Sequence, residues 1–244
     1  MTSRSGSTST DLRRARLAGL AYVALAGLDT ALAGSASASR RRARVLVKPL
    51  LMPALAASFA AATHGRADTP ARRATLAAHG LSWAGDVALL EPGETRFLAG
   101  VGGFLGAHLA YLRVFGEHGR PLGDPAGRRG PLAAAALWSV AAPVMARGAG
   151  RTAPALRLPV MGYIGVLLAM GAASTRLADD VDPRAAATIR AGAALFLTSD
   201  TVIGTREFLL TDPGPRSDAV VMATYTAGQG LIALGIARML EKHR

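Results

Sequence analysis

Long apolar stretches broken by short polar punctuation fill most of the chain. Eight stretches come close to the roughly 17–25 residues a helix needs to cross a bilayer: Leu17–Ala33, Val45–Thr63, Ala74–Leu90, Phe97–Phe115, Pro131–Ala146, Leu158–Thr175, Ala185–Leu210 and Ala219–Leu240. The connectors hold nearly all the charge and much of the proline, as in Ser39-Arg40-Arg41-Arg42, Asp68-Thr69-Pro70, Glu91-Pro92-Gly93, Gly123-Asp124-Pro125, Asp179 to Pro183 and Asp212 to Pro215. This pattern predicts an all-α fold, a polytopic membrane bundle of about eight helices. A soluble bundle would carry a charge every three or four positions on each outer face, yet Leu158–Thr175 and Ala219–Ala237 carry none. The expected organisation is a basic N-terminal tail (1–16), one transmembrane domain (17–240) and a short C-terminal tail (241–244). The first span resembles a signal peptide, with Arg13, Arg14 and Arg16 before it and an A-x-A site at Ala36-Ser37-Ala38. Asp29 within the apolar stretch and Arg40, Arg41, Arg42 and Arg44 just beyond it argue that the helix is retained.

Composition sharpens this picture. The 244 residues are 50% hydrophobic and only 18% charged, with mean hydropathy +0.28 and a formal net charge of +12. That profile excludes a disordered basic tail and a nucleic-acid-binding domain. The arginines are scattered over short loops on both faces, which suits topology signals and attraction to anionic lipid; the bilayer, not nucleic acid, is the expected partner. With no cysteine, disulfide scaffolds, Cys-ligated zinc and thiol catalysis are excluded. The Lys/Arg excess lies on the side of the termini, which predicts cytoplasmic ends, although the cluster at 40–44 runs against it. The Ala/Arg/Gly bias suggests a GC-rich bacterial genome and hence a bacterial cell membrane. Nothing in the pattern fixes an oligomeric state.

Ionisable groups inside a bilayer cost several kcal/mol and are functional candidates by default. Here they are Asp29, Lys48, Asp86, His108, Asp200 and Glu207, with Tyr163, Tyr225 and Gln229 as uncharged polar groups. Asp29 and Glu207 lie near span ends, solvated or paired with Arg40–Arg44 and Arg206. Alternating span direction brings Lys48, Asp86, Tyr163, Asp200 and Tyr225 into the half of the membrane away from the termini, with His108 and Gln229 deeper. Blander roles exist for several: Asp86 as an interfacial group, Lys48 snorkelling, His108 as helix–helix glue. Gly102-x-x-x-Gly106 and Gly228, Gly230 and Gly235 read as close-packing faces. Pro49 precedes Asp86 by 37 positions and Pro159 precedes Asp200 by 41, which suggests a parallel four-plus-four repeat.

These residues resemble the YhhN-type lysoplasmalogenases, polytopic enzymes that cleave the vinyl ether bond of lysoplasmalogens. The matching stretches are Lys48-Pro49-Leu50-Leu51-Met52-Pro53; Ser82-x-x-Gly85-Asp86-x-x-Leu89-Leu90; Phe97-x-x-Gly100 with Phe104-Leu105-x-x-His108-x-x-Tyr111; Pro159-Val160-x-x-Tyr163; Gly192-Ala193-x-Leu195-Phe196-x-x-Ser199-Asp200; and Tyr225-x-x-x-Gln229-x-Leu231-Ile232. They cover about 45–235 in order. After Asp200 the chain has Thr-Val-Ile-Gly where the family often has a Leu-Ala pair. The resemblance implies eight helices and a lysophospholipid substrate.

Vinyl ether hydrolysis protonates the β-carbon, forms an oxocarbenium ion, adds water, and collapses a hemiacetal to a fatty aldehyde and a glycerophospho-alcohol. It calls for a protonated carboxylic acid and a carboxylate, as in glycoside hydrolysis. The expected pair is Asp200, as the more buried general acid, and Asp86, as the carboxylate, with interchangeable roles. Lys48 is expected to meet the lipid phosphate or hold one aspartate ionised. His108, Tyr163, Ser199, Tyr225 and Gln229 are expected to line the substrate pocket. The reading calls for no metal and no cofactor. The competing readings are a proton-coupled transporter using the same Asp and Lys groups, and a structural protein whose polar groups only join helices.

Overall fold

The computed structural model describes residues 4–66, 68–211 and 214–241. Parts of both expected tails (1–3 and 242–244) and part of the expected connector at 212–215 (212 and 213) lie outside them. The described residues form eight α-helices: α1 (Arg4–Ala33), α2 (Ala38–Ala62), α3 (Pro70–Ala88), α4 (Glu94–Glu117), α5 (Pro125–Thr152), α6 (Arg157–Thr175), α7 (Pro183–Phe208) and α8 (Pro215–Met239), with a 3-10 turn at Pro154–Leu156. No strand occurs among them.

Local chemistry sets the helix starts. α3, α5 and α7 each open on a proline, whose missing N–H costs nothing in the first turn. Each follows an N-cap whose side chain accepts from the backbone: Thr69 from Arg72 N (3.2 Å), Asp124 from Ala126 N (2.9 Å) and Asp182 from Ala185 N (2.9 Å). The first helix starts earlier than its apolar stretch: most of the region read as a basic tail is already helical. No proline interrupts Arg4–Ala33, and Asp11 is held by His64 at 2.8 Å.

Six helices are long and apolar enough to cross a membrane; α3 and α7 are the other two. These are the helices that carry Asp86 and Asp200. The polar groups in the middle of α3 turn toward other helices: Thr75, His79, Ser82 and Asp86 are all buried. The apolar side of the bundle faces outward instead, with Leu46 75% and Leu158 79% exposed. Large apolar side chains outside and a polar stripe inside are the arrangement lipid favours.

The helices pack as successive hairpins, α1–α2, α3–α4, α5–α6 and α7–α8. Glycines set the closest crossings. A Cβ on Gly103 would meet Gly85 N and Leu81 O at 2.8 Å, and one on Gly228 would meet Gly192 O and Phe196 N at 2.9 Å. The second helix of each half packs on the third helix of its own half and on the last helix of the other: α2 on α3 and α8, α6 on α7 and α4. This is the neighbour pattern of a four-plus-four repeat. It breaks at one place. α1 packs along α8, where Tyr22 donates to Thr226 O at 2.6 Å, whereas α5 makes no comparable contact with α4.

Candidate functional site

α2 contains two prolines, Pro49 and Pro53. Pro53 has no N–H to offer the carbonyl four residues back, and that freed Pro49 oxygen accepts instead from Trp83 Nε1 of α3 at 3.0 Å. The bond ties α2 to α3 beside the first polar cluster. There Lys48 Nζ lies 3.1 Å from Asp86 Oδ1, and Tyr225 of α8 donates its hydroxyl to Asp86 Oδ2 at 2.7 Å. One turn away, Gln229 Nε2 donates to Ser82 Oγ (2.8 Å) and Gln229 Oε1 accepts from the Tyr111 hydroxyl (2.7 Å). Lys48, Ser82, Asp86, Tyr111, Tyr225 and Gln229 are all buried.

The second cluster repeats the first with the halves exchanged. Asp200 of α7 is met by Tyr163 of α6 and His108 of α4. The Tyr163 hydroxyl donates to Asp200 Oδ2 at 2.6 Å, and His108 Nε2 lies 2.9 Å from the same oxygen and 3.1 Å from the hydroxyl. Each aspartate is thus held by the second helix of its own half and the fourth helix of the other. Among the described residues no hydrogen bond reaches Asp200 Oδ1.

The clusters differ in access. Where α5 stands off from α4, a cleft of about 450 Å³ opens between α4, α5, α6 and α7, within the size range of small-molecule sites. Its walls are apolar apart from a few groups, and Asp200 and Tyr163 are among them. Asp86 does not reach it. Tyr225, bonded to Asp86, packs edge-on against Phe104 and Phe196, and Phe196 packs on His108. Phe104 itself lines the cleft, so rings separate the Asp86 cluster from the cleft.

Several sequence expectations change accordingly. The two aspartates do not share one site; each has its own partners. The burial order is reversed, because the Asp86 side chain is 2% exposed and that of Asp200 is 7%. Lys48 does not snorkel: its ammonium turns inward to Asp86. Tyr225 and Gln229 belong to the closed cluster, and only His108 and Tyr163 accompany Asp200. Ser199 is fully buried and donates to Val221 O of α8 at 3.2 Å, joining two helices instead of lining a pocket. Asp29 is paired with the arginine cluster, through Arg44 Nε at 3.1 Å, and is fully buried rather than solvated. Glu207 is not paired with Arg206, which bonds Asp218 at 2.7 Å; it lines the cleft instead. Sequence reasoning assigned no role to Ser82 or Tyr111. Their spacing was the available signal, since Ser82 lies one turn from Asp86 and Tyr111 one turn from His108 on the same helix faces.

Compared with known proteins, the chain matches the model of the YhhN family over residues 43–236. No curated protein and no solved structure matches it.

Proposed function

Because this chain belongs to the YhhN family, we propose that it is an integral membrane hydrolase that cleaves the vinyl ether bond of lysoplasmalogen-type lysophospholipids, with Asp200 as the proton donor. One observation carries the reading: a hydrogen-bonded aspartate, Asp200, faces a largely apolar cleft of about 450 Å³ between the helices. The cleft suits the alkenyl chain. Asp200 Oδ1, free of hydrogen bonds among the described residues, is the oxygen available to substrate.

The steps balance on that one carboxyl. Asp200 gives its proton to the β-carbon of the vinyl ether, leaving an oxocarbenium ion at the α-carbon. The carboxylate so formed is held at Oδ2 by Tyr163 and His108 and stabilises the adjacent cation. Water adds to the α-carbon and gives its proton back to Asp200. The hemiacetal loses its hydroxyl proton, the bond to the glycerol oxygen breaks, and that oxygen takes a proton. One water is consumed, and an aldehyde and a glycerophospho-alcohol leave. Asp86, outside the cleft, acts as a positioning group: with Lys48 and Tyr225 it fixes α2, α3 and α8, and Tyr225 packs on the ring that supports His108.

The test is aldehyde and fatty acid release by purified protein from vinyl ether, saturated ether and acyl lysolipids. Aldehyde from the vinyl ether alone, abolished in a folded Asp200→Asn variant, is the expected result. Undiminished aldehyde release by that variant refutes the mechanism. The closed Lys48–Asp86 pair favours one second reading, a proton-coupled transporter. It predicts proton-dependent flux of intact lipid in sealed vesicles and no aldehyde.

A further inference from the structure

Inward of Asp200 the cleft is short. On α7 it reaches Leu197, three residues away or about 4.5 Å along the axis. On α6 it reaches Leu168, five residues past Tyr163 or about 7.5 Å. Beyond these the two helices close on each other, since a Cβ on Gly171 would meet the Leu197 side chain at 2.9 Å. A hydrocarbon advances about 1.25 Å per carbon at ordinary bond lengths, so this inner end holds about six carbons. One leaflet of a roughly 30 Å hydrocarbon core is about 15 Å deep, and a chain that fills it has about twelve carbons at the same spacing. The rest of such a chain needs a way out of the cleft.

Side chains join the helices on the other flanks. His108 links α4 to α7 through Asp200 at 2.9 Å and through Phe196, with ring centroids 4.7 Å apart, and links α4 to α6 through Tyr163 at 3.1 Å. Trp138 Nε1 of α5 donates to Met161 O of α6 at 3.0 Å. α5 and α7 meet nearer the mouth, where a Cβ on Gly148 would collide with Phe208 and one on Gly204 would touch Met145 at 3.8 Å. One and two turns inward from that meeting, Ala141 and Leu137 of α5 reach the level of Thr201 and Thr198 of α7, and all four line the cleft. Leu137 is 53% exposed, and Thr198 and Thr201 are exposed as well. These residues therefore line the cleft and the outer surface of the bundle at once. Thr198 and Thr201 give their hydroxyls to Ala194 O (2.9 Å) and Leu197 O (2.8 Å), carbonyls one turn back in their own helix. With those donors satisfied internally, both rims of the opening are apolar.

We infer that the gap between α5 and α7 at Leu137 and Thr198 is a lateral portal through which the hydrocarbon chain of the lipid substrate passes from the cleft into the bilayer. The inference rests on the hydrolase reading for the position of the reacting carbon at Asp200, but chain seating is measured without cleavage. Uncleavable saturated ether lysolipids with six-carbon and sixteen-carbon chains and the same head group are titrated against wild type, Leu137→Trp, Thr198→Trp and Val140→Trp in nanodiscs. An indole at Leu137 or Thr198 fills the gap and should weaken binding of the long chain about tenfold while the short chain binds as to wild type. Val140 is 66% exposed on α5 but does not line the cleft, so Val140→Trp should change neither. A sixteen-carbon probe with a diazirine at carbon twelve should label α5 and α7 beside the gap, and excess unlabelled lysolipid should displace that label. Equal weakening of both chain lengths, no weakening in either portal variant, or displaceable label elsewhere overturns the inference. Portal-dependent binding without aldehyde release from a vinyl ether lysolipid overturns the hydrolase reading and leaves this one standing. Aldehyde release with binding that ignores both indoles does the reverse.

Discussion

Lys48→Met tests whether the Lys48–Asp86 pair is architecture or chemistry. The ammonium and carboxylate are 3.1 Å apart and their side chains are 9% and 2% exposed, with Tyr225 as the one further donor to Asp86 among the described residues. Removing the lysine charge leaves a carboxylate with no counterion in an apolar interior. Breaking a buried pair from one side costs about 3–5 kcal/mol, and at 2–4 °C per kcal/mol for a chain of this size the melting temperature should fall by roughly 10 °C. Adding Asp86→Asn to Lys48→Met removes the stranded charge while keeping an acceptor for Tyr225, so the double variant should regain most of the loss. Thermal unfolding of the two singles and the double in detergent closes the cycle. Aldehyde release is measured on the same samples, and the double variant should stay within about tenfold of wild type. A Lys48→Met protein as stable as wild type, or a double variant no better than that single, would refute the energetic argument. A folded double variant with no activity would return Asp86 to the chemistry.

Two further outcomes follow from the geometry. Tyr163→Phe removes the hydroxyl that donates to Asp200 Oδ2 and should lower kcat about tenfold with little change in stability, read by single-turnover aldehyde release. Gly228→Val places a side chain against Gly192 O and Phe196 N, contacts already at 2.9 Å for a Cβ alone; it should destabilise the α7–α8 pair by about 2 kcal/mol or more, read as an earlier unfolding midpoint. A stability equal to wild type there would mean that the helices are not held at that crossing.

Much of the fold was legible because it follows from local sequence. Apolar runs of membrane length and capped prolines such as Asp124-Pro125 and Asp182-Pro183 fix helix number and boundaries through neighbours in the chain. The intramembrane ionisable groups were legible for the same reason, since their cost depends on the run they interrupt. The partnership of Lys48 with Asp86 and of Tyr163 with Asp200 lay beyond the sequence, because it depends on how each helix is rotated and on which neighbour it meets.

Asp86 and Asp200 show the division most clearly. Each ends a similar stretch late in its helix, at a similar distance from a proline one helix earlier, and the sequence alone treats them as equivalents. The tertiary structure separates them. α1 lies along α8 and helps close the bundle around Asp86, while α5, its counterpart in the other half, stands away from α4 and leaves Asp200 facing a cleft. The sequence by itself determined that Asp86 and Asp200 would interrupt apolar runs. Only helix–helix packing, a sum of contacts between residues far apart in the chain, decided which one faces the cleft.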